Sequence, residues 1–285
     1  MGNADPFVSV IIPTYNRANF IKRAIDSVLI QNYENIEIIV VDDASTDNTE
    51  SVVKGIKDSR IIYVKNDRNL GVSASRNKAI GMAKGEVIAF LDSDDYWLEN
   101  KLKKQVAKLF SGRDIGLVYT GERFIDDRGK ILREEIPRYS GYIYDVLLAK
   151  NFISPSSSIV RKDVLDDVGL FLEDLDYRED HELWLRISKK YKIDYVPEIL
   201  TVRYIHSGGR LSDSVERKIR AFYRILDLYS DEFDRKPKAF SRQLYEIGKL
   251  YLKIGNKKEA RRQFIRSFLK YPNWNALSKF LKCLF

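Results

Sequence analysis

Apolar residues fall in two alternating periods through the first hundred positions. Residues 8–13 (VSVIIP) are a short apolar run closed by Pro13, and residues 36–41 (IEIIVV) are β-branched, as a buried strand should be. Residues 61–64 and 87–91 (VIAFL) repeat the pattern. Between these runs the period lengthens. Residues 20–31 place Phe20, Ile21, Ala24, Ile25, Val28 and Leu29 on one helical face. DDASTDNTE leads into a second helix that Ser45 or Thr46 can cap, and residues 72–82 read as a third. Strand–helix alternation on this scale predicts a parallel α/β sheet with helices on both faces, and ligands in such sheets lie at the carboxyl ends of the strands.

The middle of the chain is less regular. Residues 102–110 read as a helix, and residues 116–132 as two strands around the turn Asp126-Asp127-Arg128-Gly129. Residues 155–160 (PSSSIV) and 200–205 are further strand candidates, and residues 180–190 (DHELWLRISKK) are amphipathic, with Leu183, Trp184 and Ile187 on one face. From Ser214 the pattern is helical. Leu244, Gly248, Tyr251, Gly255, Ala260, Phe264 and Pro272 fit the helix–turn–helix of a tetratricopeptide repeat. The predicted division is an α/β domain over 1–213 and an all-helical region over 214–285.

Composition narrows the class. With 44% hydrophobic and 32% charged residues among 285, the chain can bury a core. No apolar run approaches the roughly 20 residues that cross a bilayer. A single cysteine, Cys283, excludes a disulfide framework and a cysteine-ligated zinc site. A cytoplasmic location is the expectation. Charge is unevenly placed: 18 of the 49 Lys+Arg but 7 of the 41 Asp+Glu lie in 215–285, a net of +11 there against −3 in the rest. The basic tail suits peripheral contact with the inner face of an anionic membrane, or the solvated face of a packed helical layer; both stay open. No motif for nucleic acid accompanies the charge.

Three acidic groups sit at predicted strand ends: Asp42-Asp43, Asp92-Ser93-Asp94-Asp95, and Glu179-Asp180 at the start of a helix. Aspartates after strands also cap helices and make turns, which suffices for any one group. It does not account for all three together with PTYNR at residues 13–17. Carboxylates crowded at one sheet edge repel unless a cation or donor sits among them, and hard oxygens suit Mg²⁺ or Mn²⁺, which commonly also holds substrate phosphates. Asn16 and Arg17 stand at a helix entrance, where anions are favoured, although Thr14 or Asn16 could serve there simply as a cap.

PTYNR, VVDDASTDNT, NLGVSASRNKA, FLDSDD and REDHELWLR, in this order and spacing over roughly residues 6–210, together resemble an inverting family 2 glycosyltransferase with the GT-A fold. The resemblance implies a Rossmann-like mixed sheet. Pro13 and Tyr15 would line a nucleobase pocket and Asp43 would bond the imide edge of the base. Arg76 would approach the base or diphosphate. Asp92-Ser93-Asp94 matches the DxD motif, with Asp92 near ribose or metal and Asp94 the main metal ligand. Asp180 matches the catalytic base, supported by Glu179. His206, in RYIHSGGRLS, matches a looser diphosphate or metal position. One departure is DDAS where the family often has DDGS; alanine there costs little unless the position needs positive φ.

The implied chemistry is transfer of a sugar from a nucleotide-sugar donor, UDP-linked by resemblance, to a hydroxyl of a glycan or lipid-linked glycan, with Mn²⁺ or Mg²⁺ as cofactor. Two other functions compete. A non-catalytic nucleotide-sugar-binding scaffold working through its helical tail would not need all three acidic groups intact. A nucleotidyltransferase would usually carry a glycine- and lysine-rich loop near its start, which is absent from the sequence.

Overall fold

The computed structural model describes residues 5–205 and 214–283. Its elements in chain order are β1 Val8–Thr14, α1 Ile21–Leu29, β2 Ile36–Asp42, α2 Thr49–Gly55, β3 Ile61–Lys65, α3 Val72–Met82, β4 Val87–Phe90, β5 Tyr96–Trp97, α4 Lys101–Leu109, β6 Ile115–Asp126 and β7 Ile131–Glu135. There follow α5 Tyr144–Ala149, a 3-10 turn Pro155–Ser157, β8 Ser158–Arg161, α6 Lys162–Val168, α7 Glu179–Lys190 and β9 Lys192–Ile205. The tail holds α8 Val215–Leu228, α9 Ser230–Arg235, α10 Pro237–Lys253, α11 Lys257–Lys270 and α12 Trp274–Lys282. Contacts divide the chain into two units. Among the described residues, the first takes 5–143, 153–173 and 186–205, and the second takes 144–152, 174–185 and 214–283.

The first unit is built on one mixed sheet in the order β3-β2-β1-β4-β8-β6-β9-β5, with β7 added to β6. β3, β2, β1 and β4 are parallel, the strand order of a nucleotide-binding half. β8 is antiparallel to both β4 and β6. β1 and β2 are buried along their whole length, which is why they read as largely apolar runs rather than as alternating ones; their buried polar residues Ser9 and Glu37 bond each other, Ser9 Oγ donating to Glu37 Oε1 at 2.6 Å. Each fully buried Ile or Val contributes about 1.5–3 kcal/mol.

Pro13 does not end its strand. β4 pairs β1 only as far as Ile11↔Phe90, whereas β2 pairs through Pro13↔Val41 to Thr14↔Asp42. Carbonyls alternate sides, Ile11 O taking Leu91 N and Thr14 O taking Asp43 N, so the missing N–H of Pro13 faces the side where β4 has ended. The PSS of residues 155–157 forms the 3-10 turn rather than strand, because Ser154 Oγ accepts from Ser157 N. β9 begins eight residues before the expected strand. Val196 pairs Thr120 and Ile199 pairs Gly121, so Pro197 and Glu198 bulge out of the ladder, where proline is tolerated. α5, α6 and β5 had no sequence signal; with six, seven and two residues they are too short to show a period.

The second unit packs α8–α12 with α5 and the first part of α7. α10 and α11 are the expected helical pair. A Cβ on Gly248 would lie 2.6 Å from Phe264 Cε1, so glycine lets the two helices close. Phe264 and Ala260 are fully buried with Cys283 against Tyr245, Tyr251, Leu252 and Phe280. No described helix is long and apolar enough to cross a membrane.

Candidate active site

Three loops leave the carboxyl ends of adjacent strands β1, β2 and β4 in the first unit, and hydrogen bonds lace them together. Asn16, in left-handed backbone (φ 50), accepts on Oδ1 from Thr46 N at 2.8 Å and donates its own N–H to Ser45 Oγ at 2.8 Å. Arg17 N donates to Thr49 Oγ1 at 2.9 Å. Neither Ser45 nor Thr46 therefore caps α2. Asp47 Oδ1 takes Thr49 N instead, and Ser45 is committed to the first loop. Nor do Thr14 and Asn16 cap α1, which starts at Ile21. The PTYNR and DDASTD segments are one structure, with Pro13 buried and Tyr15 partly exposed at its edge.

Asp43 is buried and accepts three bonds: Asn66 Nδ2 at 2.9 Å and Leu70 N at 2.8 Å on Oδ1, and Gly71 N at 2.8 Å on Oδ2. Gly71 has φ 92, a conformation that only glycine adopts without strain, and it opens α3. Asp43 thus fastens the start of α3 to the end of β2. Its neighbour Asp42 accepts from Ser45 N and from the Tyr63 hydroxyl at 2.6 Å; burial and that bond push the Tyr63 phenol up. Ala44 sits at φ 63, so the position where the family often has glycine does require positive φ.

α3 carries Ser75, whose hydroxyl meets Asn66 Nδ2 at 3.3 Å, and Arg76, whose Nη2 pairs Asp92 Oδ1 at 2.8 Å. A chain of contacts therefore joins Asp43 to the DSDD loop. Arg76 is 2% exposed and stacks on Phe171 at 5.2 Å. Ser93 and Asp94 are buried, and Asp92 is partly exposed. Asp94 Oδ2 lies 3.8 Å from Arg17 Nε, and its carbonyl accepts from Arg23 Nη2 at 2.9 Å. Arg23 rests its guanidinium over Tyr204 at 4.1 Å. Asp95, the third acid of the motif, is structural: fully buried, it accepts from Ser156 Oγ at 2.7 Å and Tyr204 N at 3.2 Å, with Arg203 Nε at 3.3 Å. Ser156 Oγ also accepts from Asp92 N.

Arg203 lies 3.7 Å from Glu122, which bonds the Ser154 hydroxyl. Burial pushes the Glu122 carboxyl up, opposed by Arg203 and Ser154. Sequence reasoning passed over Arg203, Glu122 and Ser156. The available signal for two of them was a charge within a largely apolar strand, Glu122 in VYTGERFI and Arg203 in ILTVRYI; Ser156 gave none.

Asp92 and Asp94 give the first unit two carboxylates with arginines beside them. Among the described residues no group of three or more His, Cys, Asp and Glu is arranged to hold an ion. The donor set fits a divalent cation whose coordination is completed by substrate phosphates, not one caged by protein. His206 lies outside the described residues.

Asp180 and Glu179 open α7 in the second unit, both partly exposed. Asp180 Oδ1 accepts from His181 N at 2.6 Å and Oδ2 from Asn151 Nδ2 at 3.0 Å. Before them Arg178 is buried at φ 66, and burial lowers its guanidinium to about 10. Its Nη2 is 2.6 Å from His181 Nδ1. A guanidinium only donates, so Nδ1 accepts and Nε2 carries the proton to Leu147 O at 2.7 Å. Burial and Arg178 hold His181 well below the usual histidine range, as the neutral tautomer.

The glycosyl transferase family 2 model matches residues 9–169. Over 228 residues the chain is 34% identical to an uncharacterized glycosyltransferase of Methanocaldococcus jannaschii, covering 77% of this chain and 78% of that protein. Over 258 residues it is 34% identical to the Escherichia coli UDP-Glc:alpha-D-GlcNAc-diphosphoundecaprenol beta-1,3-glucosyltransferase WfgD, covering 90% of this chain and 96% of the relative. Its fold resembles that of the mannosyltransferase PcManGT from Pyrobaculum calidifontis in complex with GDP-Man and Mn²⁺, with TM-score 0.68, 20% identity, and coverage of 98% and 79%. It also resembles S. aureus TarS 1–349 in complex with UDP-GlcNAc, with TM-score 0.63, 19% identity, and coverage of 97% and 89%. The motifs laced together at the ends of β1, β2 and β4 thus lie within the matched region, and the chain, a glycosyltransferase of the GT-A fold, belongs to glycosyl transferase family 2.

Proposed function

We propose that the enzyme moves a sugar from a UDP-linked donor to a hydroxyl of a lipid-linked glycan, with inversion at the anomeric carbon. The observation that carries this reading is the acidic and basic array of the first unit, where Asp92 and Asp94 stand beside Arg76, Arg17 and Arg23 at the carboxyl ends of parallel strands. The name of the WfgD relative supports the donor and acceptor class.

In this reading Pro13, Tyr15 and Asp43 receive the base. Asp43 already accepts three bonds, and a carboxylate has about four acceptor sites, so it offers the base what capacity remains. Asp92, Ser93 and Asp94 face the ribose and diphosphate, and Arg76 holds Asp92 in place. A bound Mn²⁺ or Mg²⁺, with Asp94 its main ligand, would offset charge on the departing diphosphate. Asp180 takes the proton of the acceptor hydroxyl as it attacks, and Glu179 stands beside it to support the base or meet the acceptor. A single displacement inverts the anomeric centre, and this route uses no covalent nucleophile.

The test is a panel of nucleotide sugars with and without Mn²⁺, read as protection against thermal unfolding and as nucleoside diphosphate release on a GlcNAc-diphosphate lipid. UDP-glucose with Mn²⁺ is expected to raise Tm, and Asp94→Asn to abolish the Mn²⁺-dependent part. Asp180→Asn is expected to keep the protection while turnover falls about 10²–10⁴-fold. Parental turnover in Asp180→Asn removes the base from this scheme. Protection by no nucleotide sugar removes the donor site.

A further inference from the structure

The helical tail lies outside the family match, yet one of its side chains reaches the surroundings of Asp180. Gln243, on α10, is 1% exposed and uses both ends of its amide. Its Nε2 donates to Leu148 O at 2.7 Å and Ala149 O at 3.2 Å, carbonyls of the last turn of α5, which that helix leaves unpaired. Its Oε1 accepts from Arg178 Nη1 at 2.9 Å. From α5 the chain passes in two residues to Asn151, which donates to Asp180 Oδ2. From Arg178 the contacts pass through His181 Nδ1 to the backbone N–H that donates to Asp180 Oδ1. The His181 ring closes the circuit on Leu147 O.

We infer that Gln243 is a positioning residue for Asp180, tying together the two segments, 147–151 and 178–181, that hold the carboxylate by its two oxygens. This rests on the assignment of Asp180 as the base. Two features argue against mere packing. Arg178 is strained: a non-glycine residue at φ 66 is disfavoured and persists where its surroundings over-determine it. Those surroundings are Gln243, His181 and the ring of Phe222, 3.8 Å from the guanidinium carbon and itself on tail helix α8. And a buried amide is expensive to leave unpaired, so an apolar side chain would serve better for packing alone. A base must offer a lone pair in a fixed direction, and an error near 1 Å costs roughly 10²-fold in rate.

The test is Gln243→Met, which keeps the volume and removes the three bonds, assayed with UDP-glucose, Mn²⁺ and the GlcNAc-diphosphate lipid beside Asp180→Asn and Asn151→Ala. In Gln243→Met, kcat is expected to fall about tenfold or more, with the KM for UDP-glucose and its Tm protection within twofold of the parent. Loosening the Asn151 donor stops it favouring the ionised carboxylate, so the acidic limb of the kcat–pH profile should move to higher pH. Gln243→Met and Asn151→Ala together should lose less than the product of their separate losses. A parental kcat and pH profile in Gln243→Met, with Asp180→Asn inactive, overturns the positioning role and leaves the base standing. An active Asp180→Asn overturns the base and this role with it. If Gln243→Met gives no cooperative melt, Gln243→Glu, which keeps the Arg178 partner and loses the donors to α5, is read by the same criteria.

Discussion

Ala44 shows how much a single position can conceal. As one letter in DDAS it is unremarkable, yet its φ of 63 places a Cβ where L-residues are strained by roughly 1–2 kcal/mol. Glycine would relieve that strain but lose more freedom on folding, about 0.5–1 kcal/mol. Ala44→Gly is therefore expected to stabilise the enzyme by about 0.5–1 kcal/mol, raising Tm by about 1–4 °C in calorimetry. An unchanged or lower Tm would show that the loop between Asp43 and Ser45 bears no strain. The same scale separates what the motifs revealed from what they hid. The acids of DSDD were visible in the sequence, but nothing in three carboxylates within four residues distinguishes Asp95, locked to Ser156 and Tyr204, from Asp94 beside Arg17. Burial and partners made that distinction, and the partners lie 61 and 109 residues away.

Among the elements, the long ones were legible and the short ones were not. α1 is legible because Ile21, Ala24, Ile25 and Val28, spaced on one helical face, are all buried; α3 keeps its sequence-predicted bounds, Val72–Met82, even though its buried positions include Ser73, Ser75 and Arg76. α5 has six residues and no such signature, although Asn151, two residues beyond it, donates to Asp180 and its last carbonyls take Gln243. The first turn of α7 depends on a charge state. His181 is fully buried, between a guanidinium that donates to Nδ1 and a carbonyl that accepts from Nε2. Protonation would put two cations face to face, so the folded chain keeps His181 neutral well below the ordinary pKa near 6.5 while the unfolded chain takes up a proton. Stability from this group is thus complete above about pH 6.5 and declines as pH falls below it, by up to about 1.4 kcal/mol per pH unit. His181→Gln, which can accept from Arg178 and donate to Leu147 O, should flatten that decline. The measurement is urea unfolding of parent and variant between pH 7 and pH 5. Parallel slopes would mean that His181 does not carry the acid sensitivity.

At the scale of the molecule, the basic tail was legible as charge but not as architecture. Its net charge of +11 suited either an anionic membrane or the solvated face of a packed helical layer, and several of its cations are paired within the second unit. Arg217 meets Asp176 at 2.8 Å, Arg224 meets Asp174 at 2.9 Å, and Lys236 meets Asp145 at 2.6 Å. Pairs this exposed are each worth less than about 1 kcal/mol, so they do not hold the unit together. The buried contacts do: Gln243 on the α5 carbonyls, Phe222 under Arg178, and the Tyr229 hydroxyl on Glu182 Oε1 at 2.9 Å. Sequence order hid this, because the tail packs with segments that come 30 to 100 residues before it. A chain ended at residue 213 would leave the last turn of α5 and the first turn of α7 without those partners and would uncover α5, which packs on α10 and whose Leu147 and Leu148 are fully buried in the intact chain. Each side chain returned to water costs about 1.5–3 kcal/mol, and the buried Arg178 loses its acceptor on Gln243, so the loss rivals the whole stability of a typical domain. The truncated chain is therefore expected to express largely insoluble, or to melt well below the full chain with rapid proteolysis within residues 144–152 and 174–185. A truncated chain with the parental Tm and resistance at both segments would establish the tail as an independent module.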